Sequence, residues 1–335
     1  MSVAKEGITM KGKIALEEHW SLPETLEDSR GFVGGSADWK RFERQILELG
    51  DERVAEMEKN GIDHQIVSLN SPAVQAVVST NEAIDLAKRA NDTMAKLVNK
   101  NRKRFSGFAA LPMQDPKVAA DELERCVKEY GYVGALVNSF TQKDKPDTAL
   151  YYDLPEYRPF WKKVSELDVP FYIHPRSPLL SKAPEYEGHP WLMSSPWGFA
   201  ADTAVHSLRL CGSGLFREYP NLKIVIGHLG EGIPFFLWRI DARMRFSPRG
   251  YTGGDYLGET FIKNFWITTS GNFCTPSFQC ALSMVGIDKV LFSADYPFES
   301  NKDAADWFDG LEIAAADKEK IGRTNAIKLF KLDMR

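Results

Sequence analysis

The sequence predicts a single (β/α)8 TIM barrel, and three observations predict it. Short apolar runs alternate with longer amphipathic runs, the short runs number eight, and several of them end in histidine or carboxylate. Alternation points to parallel strands joined by helices, and eight strands close a barrel. Reactive groups at strand C-termini match where barrels place their chemistry. At 335 residues the chain suits one large barrel or two ordinary domains, since such barrels run to ~250 residues or more. No internal repeat, low-complexity tract or linker divides it. We read residues 1–12 as a polar lead-in and 13–335 as one domain. The rival fold, a doubly wound open sheet, is weakened because no GxGxxG follows the first strand.

Lys13–Trp20 (KIALEEHW) is a β-like run, followed by a Gly- and Ser-rich loop at Gly31–Ser36. Trp39–Lys59 carries Phe42, Ile46, Leu49, Val54 and Met57 at helical spacing. His64–Asn70 is the second strand. Ser79, Thr80 and Asn81 mark the start of a helix over Glu82–Asn101, because short polar side chains satisfy the first free amides. Phe105–Pro112 is the third strand, and Lys117–Tyr130 is a helix closed by Gly131. Tyr132–Ser139 is the fourth strand, Pro155–Leu167 a helix and Val169–Pro175 the fifth strand. Arg176–Gly198 then breaks the rhythm with Pro178, Pro184, Pro190 and Pro196 and no helical period. A long irregular stretch inside a compact fold is predicted to be a lid insertion after the fifth strand. The alternation resumes with helix Ala200–Phe216, strand Leu222–Gly230, helix Pro234–Arg245 and a polar loop through Gly258. Strand Phe265–Gly271, helix Pro276–Val285 and strand Val290–Pro297 complete the barrel. Two extra C-terminal helices, Ala304–Ala315 and Lys318–Leu329, end the chain.

Composition narrows the function classes. The chain is 43% hydrophobic and 26% charged, the balance of a globular protein, and no apolar run approaches the ~20 residues that span a bilayer. Forty-two basic against 46 acidic residues leave a net charge of −4, which argues against a nucleic-acid surface. Cys126, Cys211, Cys274 and Cys280 form no CxxC pair and read as reduced, buried thiols. The polar N-terminus lacks the apolar core of a signal peptide, so a cytoplasmic location is expected.

The polar residues then single out one end of the barrel. The first strand ends Glu17-Glu18-His19, and side-chain alternation points Glu17 and His19 one way and Glu18 the other. The fifth strand ends in His174, the sixth in His228 and the eighth in Asp295, so three of the six histidines stand on one rim. Glu17, His19, His174 and Asp295 make a mixed N/O set suited to zinc or manganese, with magnesium a weaker match. Singly, His174 could cap its strand and Asp295 could form a turn; together they point to a metal. His228 and Glu231, in GHLGEG, read as a histidine oriented by a carboxylate. The bland alternative for Glu231 is a helix N-terminal carboxylate. Arg239 suits an anionic substrate or a surface ion pair equally well. His206 and His64 read as packed histidines and His189 as a loop histidine, while Trp191, Trp197 and Phe199 suggest an apolar wall.

These segments resemble a known family. ALEEH, FYIHPR, IVIGHLGEG and FSADYPFE are similar to the decarboxylase branch of the amidohydrolase superfamily, and to the γ-resorcylate (2,6-dihydroxybenzoate) decarboxylases in particular. The likeness runs from Lys13 to Asp333 and includes SLNSPAVQA, LYYDLPEYRPFW and IGRTNAIKLF. It implies one divalent metal on Glu17, His19, His174 and Asp295, no organic cofactor, and reversible non-oxidative decarboxylation of an ortho-hydroxybenzoate. Besides 2,6-dihydroxybenzoate, the resemblance admits 2,3-dihydroxybenzoate, salicylate or orsellinate. It implies that Asp295 protonates the ring carbon bearing the carboxylate while His228 and Glu231 assist proton traffic. Arg239 would reach the substrate across a subunit interface of a homo-oligomer, a tetramer or dimer. Phe32, Asn138 and Phe298 match pocket-lining positions.

Two departures from the superfamily's hydrolases bear on the activity. Those usually open with His-x-His and carry a bridging lysine on the fourth strand, where this chain has Glu17-Glu18-His19 and Asn138. His19 stands where relatives acting on 2,3-dihydroxybenzoate have alanine, and Tyr296 replaces a tryptophan common beside the metal aspartate. The competing expectation is a mononuclear metal-dependent hydrolase of a lactone or amide.

Overall fold

Eight parallel strands, paired in chain order, form the wall of a nearly closed barrel in the computed structural model. It describes residues 10–33, 36–251, 253–254 and 256–334. Most of the predicted lead-in, Gly34 and Gly35 of the predicted loop, and Arg335 therefore lie outside the described residues. The strands are β1 (Lys13–Trp20), β2 (Ile62–Leu69), β3 (Phe105–Ala109), β4 (Gly134–Asn138), β5 (Phe171–His174), β6 (Ile224–Ile226), β7 (Phe265–Thr268) and β8 (Val290–Leu291). A small antiparallel hairpin, Thr141–Lys143 with Lys145–Leu150, follows β4.

The barrel interior is apolar at its lower end. Ile14, Leu16, Ile66, Phe108, Leu136, Tyr172, Val225 and Leu291 fill it, and Ala326, Leu329 and Phe330 of the C-terminal helix close it from below. A second, larger core lies between the strands and the surrounding helices. Strand alternation supplies both layers at once, inward residues to the first and outward residues to the second.

Every predicted strand exists, but most are shorter than the apolar runs that announced them. β8 is the extreme case: ladder pairing stops at Leu291, although the apolar run continues. Beyond it side chains take over part of the backbone pairing, with Thr269 Oγ1 accepting from the Ser293 amide at 2.9 Å and donating to its carbonyl at 2.9 Å. On the other flank the Ser293 hydroxyl accepts from the amides of Leu16 and Glu17. Backbone groups buried at this seam must find partners, and here side chains replace the ladder.

The helices depart from expectation in several places. Trp39–Lys59 is two helices, α1 (Ser36–Leu47) and α2 (Asp51–Lys59). Glu48 separates them, its carboxylate accepting from the amides of Gly50 at 2.7 Å and Arg53 at 3.0 Å and so starting the second helix. α3 (Thr80–Lys100) begins as predicted, with Ser79 accepting from the Glu82 amide. α4 (Pro116–Arg125) continues through a π-helical turn to Tyr130 and stops at Gly131, whose φ of 71° closes it. The α5 (Arg158–Leu167) and α6 (Gly198–Gly212) segments match closely, and a short α7 (Leu215–Glu218) separates off. After α8 (Ile233–Phe246), the predicted polar loop through Gly258 ends two residues into α9 (Leu257–Asn264), a helix not predicted between that loop and β7. α10 (Thr275–Val285) and α11 (Asn301–Asp309) precede α12 (Ala315–Glu319) and α13 (Asn325–Phe330), which a π-helical segment joins. The Arg176–Gly198 stretch is not structureless; it contains three single 3-10 turns within Leu180–Leu192. A 3-10 helix, Pro23–Phe32, likewise takes in the first two residues of the predicted Gly31–Ser36 loop.

Cys126 and Cys211 are buried as expected, whereas Cys274 is exposed and Cys280 half-buried; all four are free thiols. Met10 is not part of a loose lead-in, because it packs on the main core and its carbonyl accepts from Lys13. Among the described residues no helix is long and apolar enough to cross a membrane.

His206 is the packed histidine that the sequence suggested. Buried on α6, it accepts from the Tyr152 amide through Nε2 at 3.1 Å and faces the Ser139 hydroxyl through Nδ1 at 3.3 Å. Ser139 and Tyr151 both donate to Asp202, each at 2.6 Å, which ties α6 to the loop after β4. Burial drives His206 from its ordinary 6.5 down to about 3, with the Arg209 charge adding to the effect. The folded protein thus stays unprotonated where the unfolded chain takes up a proton. The stability this represents is complete above the ordinary value and is lost as pH falls toward the depressed one, by about 1.4 kcal/mol per pH unit. His206→Gln keeps an acceptor for Tyr152 and cannot titrate. Urea unfolding between about pH 6 and pH 4 should give a slope of stability against pH shallower by that amount in the variant; equal slopes would contradict the assignment.

Candidate metal centre

Four residues predicted as ligands converge at the C-terminal end of the barrel. One atom each from Glu17, His19, His174 and Asp295 lies within 4.8 Å of all the others. His174 arrives as the last residue of β5. Glu17 and His19 arrive by a less regular route: Ile14 and Leu16 already point into the barrel, so strict alternation would turn Glu17 outward. A register irregularity between Ala15 and Glu18 in the β1–β2 pairing absorbs the extra residue and turns both ligands to the axis. Asp295 follows the short β8 and holds a φ of 77°, a left-handed backbone unusual for a residue with a β-carbon.

The two oxygens of Glu17 have different surroundings. Oε2 accepts from the hydroxyls of Tyr172, Ser270 and Thr268. Oε1 is buried without a hydrogen-bond partner and lies 3.4 Å from His174 Nε2. Gly227 clears the space: a β-carbon there would come within 2.6 Å of Oε2 and 2.9 Å of Oε1. An orphaned carboxylate oxygen, a second carboxylate and two imidazoles aimed at one point fit a divalent cation with mixed N/O preference. The neighbouring residues fix the rings. His174 Nδ1 pairs with Asn138 Oδ1 at 2.9 Å, leaving Nε2 to face the cluster, and His19 Nδ1 faces the Ser68 hydroxyl at 3.4 Å.

His228 stands at the edge of this set. Its Nδ1 pairs with Glu231 Oε1 at 2.7 Å, and its Nε2 lies 3.6 Å from Asp295 Oδ2 and 3.7 Å from Glu17 Oε1. Burial works against a charge on His228, yet Glu231, Glu17 and Asp295 outweigh it and raise the histidine well above its ordinary value. Burial would raise Asp295, but the hydrogen bond with His19 and the nearby His228 imidazole hold it below the usual carboxylate range. Burial likewise raises Glu17 and lowers His174. Gly271 makes room here, since a β-carbon would lie 2.9 Å from the His228 ring.

A cavity of about 960 Å³ opens above the cluster, lined among others by His228, Glu231, Arg239, Asn272, Asp295, Trp197 and Phe199. Phe298 packs edge-on against His19 at 5.3 Å, and Phe32 against Phe298 at 6.3 Å and Phe199 at 5.5 Å; Phe199 lines this cavity, whereas Phe32 and Phe298, implied to line the pocket, border a separate hollow of about 260 Å³ with Phe42 and Pro297. Of the suggested aromatic cluster, Trp197 and Phe199 reach the cavity and Trp191 does not. Arg239 lines it without pairing to Asp241, whose carboxylate accepts from the Gly258 amide instead. Asn138, implied to line the pocket, is buried behind His174 and donates to the carbonyls of Asn70 and Pro72. His64 is structural, bonded to the Lys103 carbonyl and Ser106, and His189 is exposed beside Trp191. The hydroxyls of Tyr172, Thr268 and Ser270 escaped the sequence reading; TTS at the end of β7 was the available signal.

Comparison with known proteins agrees with this architecture. The family model described as amidohydrolase matches residues 19–332. The chain is 54% identical over 329 residues to a gamma-resorcylate decarboxylase of Rhodococcus jostii (strain RHA1), covering 97% of this chain and 100% of the relative. A solved 2,6-dihydroxybenzoate decarboxylase complexed with 2,6-dihydroxybenzoate superposes with a TM-score of 0.94 at 52% identity, covering 96% of this chain and 100% of that one. A dihydroxybenzoic acid decarboxylase from Polaromonas sp. JS666, solved with manganese and the inhibitor 2-nitroresorcinol, gives 0.93 at 52% identity over 96% and 97% of the two chains. By a match that spans nearly its whole length, the chain belongs to the amidohydrolase family.

Proposed function

We propose that this chain is a metal-dependent, reversible decarboxylase of ortho-hydroxybenzoates, with 2,6-dihydroxybenzoate as substrate and resorcinol and carbon dioxide as products. The observation that carries the reading is the convergence of Glu17, His19, His174 and Asp295 within 4.8 Å, in a chain 54% identical along its length to a gamma-resorcylate decarboxylase. Manganese is the first expectation, because the Polaromonas relative was solved with it; zinc is the second. Glu17, His19, His174 and Asp295 would hold a divalent cation, which would supply positive charge to anchor an anionic substrate.

The residues divide the remaining work. His228, oriented by Glu231, holds a proton on Nε2, 3.6 Å from Asp295 Oδ2. Transfer to Asp295 converts a carboxylate into an acid, which then delivers the proton to the ring carbon bearing the substrate carboxyl group. The ortho-hydroxyls donate the electron density that makes this carbon basic enough. Protonation interrupts the aromatic ring; when the carbon–carbon bond breaks, its electron pair restores the ring and carbon dioxide departs. Trp197 and Phe199, which line the cavity, would give the ring an apolar wall. Redox chemistry has no part in this sequence, and no organic cofactor is required.

The same reading assigns a homo-oligomer, dimer or tetramer. Phe235, Trp238 and Phe246 on α8 are 74, 74 and 78% exposed, a large apolar face for one helix, and Arg239 lies among them at the cavity mouth. A second copy covering this face would bring its Arg239 to the substrate. We place the protein in the cytoplasm, where its four free thiols stay reduced.

Chelation of the purified protein should abolish loss of 2,6-dihydroxybenzoate absorbance, and added Mn2+ should restore it. Only ortho-hydroxylated acids in a benzoate panel should be consumed; consumption of the 3- or 4-hydroxy acids would contradict the mechanism. Asp295→Asn should lower kcat by at least about 10²- to 10⁴-fold while circular dichroism stays unchanged, and retained turnover would remove Asp295 from its role. Arg239→Ala should raise KM about tenfold to a hundredfold, as expected for losing a charged hydrogen bond, with sedimentation reporting whether the oligomer survives.

A further inference from the structure

Glu18 takes no part in the reaction above, yet it is the residue between Glu17 and His19 and is fully buried. Its side chain points away from the ligand cluster into the seam between β1 and the segment that follows β8. There Oε1 accepts from the Ser293 hydroxyl at 2.9 Å and the Ala294 amide at 2.9 Å, while Oε2 accepts from the Tyr296 amide at 3.3 Å and Gln65 Nε2 at 3.3 Å. Ala294 and Tyr296 are the residues on either side of Asp295. Behind Glu18 lies Arg53, also buried, which donates to Gln65 Oε1 and to the His19 carbonyl, each at 2.8 Å. The carboxylate, the amide and the guanidinium thus connect the backbone around Asp295 to the backbone of His19.

This arrangement is a costly substitute for an ordinary strand ladder. Continued parallel pairing would satisfy the same amides without burying a carboxylate and a guanidinium. It would also hold the chain extended through Asp295. The observed φ of 77° at Asp295 needs neighbours that over-determine it, and the two flanking amides gripped by one carboxylate do so. The His19 amide donating to the Tyr296 carbonyl at 2.6 Å fixes the same turn from the other side.

We propose that Glu18 is a positioning residue: it sets the distance and orientation of Asp295 relative to Glu17 and His19, and so couples closure of the barrel to assembly of the metal centre. The proposal rests on the reading of Glu17, His19, His174 and Asp295 as ligands. Its test compares the full-length wild type with Glu18→Gln and Gln65→Met. Mn2+ affinity is measured by chelator competition, and the visible spectrum is recorded after Co2+ substitution, beside thermal unfolding. In Glu18→Gln an amide group must face backbone amides, so the turn should relax. Mn2+ binding should weaken about 10- to 100-fold, and the Co2+ bands should shift with the changed coordination. Gln65→Met, which removes one donor to Glu18, should move both readouts the same way by less. Folded variants that lose thermal stability yet keep wild-type Mn2+ affinity and the wild-type Co2+ spectrum would overturn the proposal and leave Glu18 a structural residue. If Glu18→Gln does not fold, Gln65→Met decides by the same two readouts. A wild type that binds no Mn2+, or a Glu17→Gln variant that binds it as the wild type does, would instead overturn the ligand reading.

Discussion

Placing Glu17 out of water at the top of an apolar barrel is the constraint to which the surrounding structure answers. A buried carboxylate is tolerated only when hydrogen bonds or opposite charge replace its hydration. One oxygen is satisfied by the hydroxyls of Tyr172, Thr268 and Ser270, drawn from β5 and the end of β7. The other is left toward His174 and the shared point of the cluster. Tyr172 therefore has two duties, its ring filling the interior layer with Phe108 and Leu136 and its hydroxyl reaching the carboxylate. Gly227 is required by the same constraint, because a side chain there would occupy the carboxylate's place.

Polarity and regularity change together along the barrel axis. Where the interior is apolar, the strands pair by ordinary ladders. Near the ligands, pairing gives way to a bulge in β1, an early end to β8 and a left-handed turn at Asp295. Each irregularity aims a side chain at the axis that a regular strand would aim elsewhere. Side chains from the neighbouring strands, Thr269 on one flank and Ser293 and Glu18 on the other, then satisfy the backbone left without a ladder. The lower layer of Ile14, Leu16, Val225 and Leu291 supplies the rigid floor on which such a site can be held.

Much of this was legible in the sequence, for a physical reason. Strand count and the candidate ligands are local properties: an apolar run ending in His174 or Asp295 shows its nature within a few residues. Helix starts such as Ser79 and stops such as Gly131 are equally local. The unread features depend on partners far apart in the chain. Glu18 meets Ser293 across 275 positions and Glu17 meets Tyr172 across 155, so neither contact leaves a mark in either segment. Alternation paired Glu17 with His19 correctly but could not register the bulge that turns both inward. Asn138 was expected at the substrate and instead holds His174, because a carboxamide at a strand end serves either purpose until its neighbours are known. α9 was missed because its eight residues, LGETFIKN, are too few for a clear helical period and follow a long polar loop.

Charge completes the account of why these residues belong together. Glu17, Asp295 and Glu231 place three carboxylates around one protonated histidine, His228. Carboxylates outnumber the cation there, an excess of negative character that suits a dication. Under the proposed function a substrate carboxylate would add one more negative charge to this centre, and Arg239 and Arg243 are both cations lining the same cavity. Removing the proton from His228 would make the centre more negative and binding of a further anion costlier. Under the proposed function the Glu231 contact that holds that proton would therefore serve both binding and chemistry: the charge that admits the substrate carboxylate would be the proton passed through Asp295 to the ring.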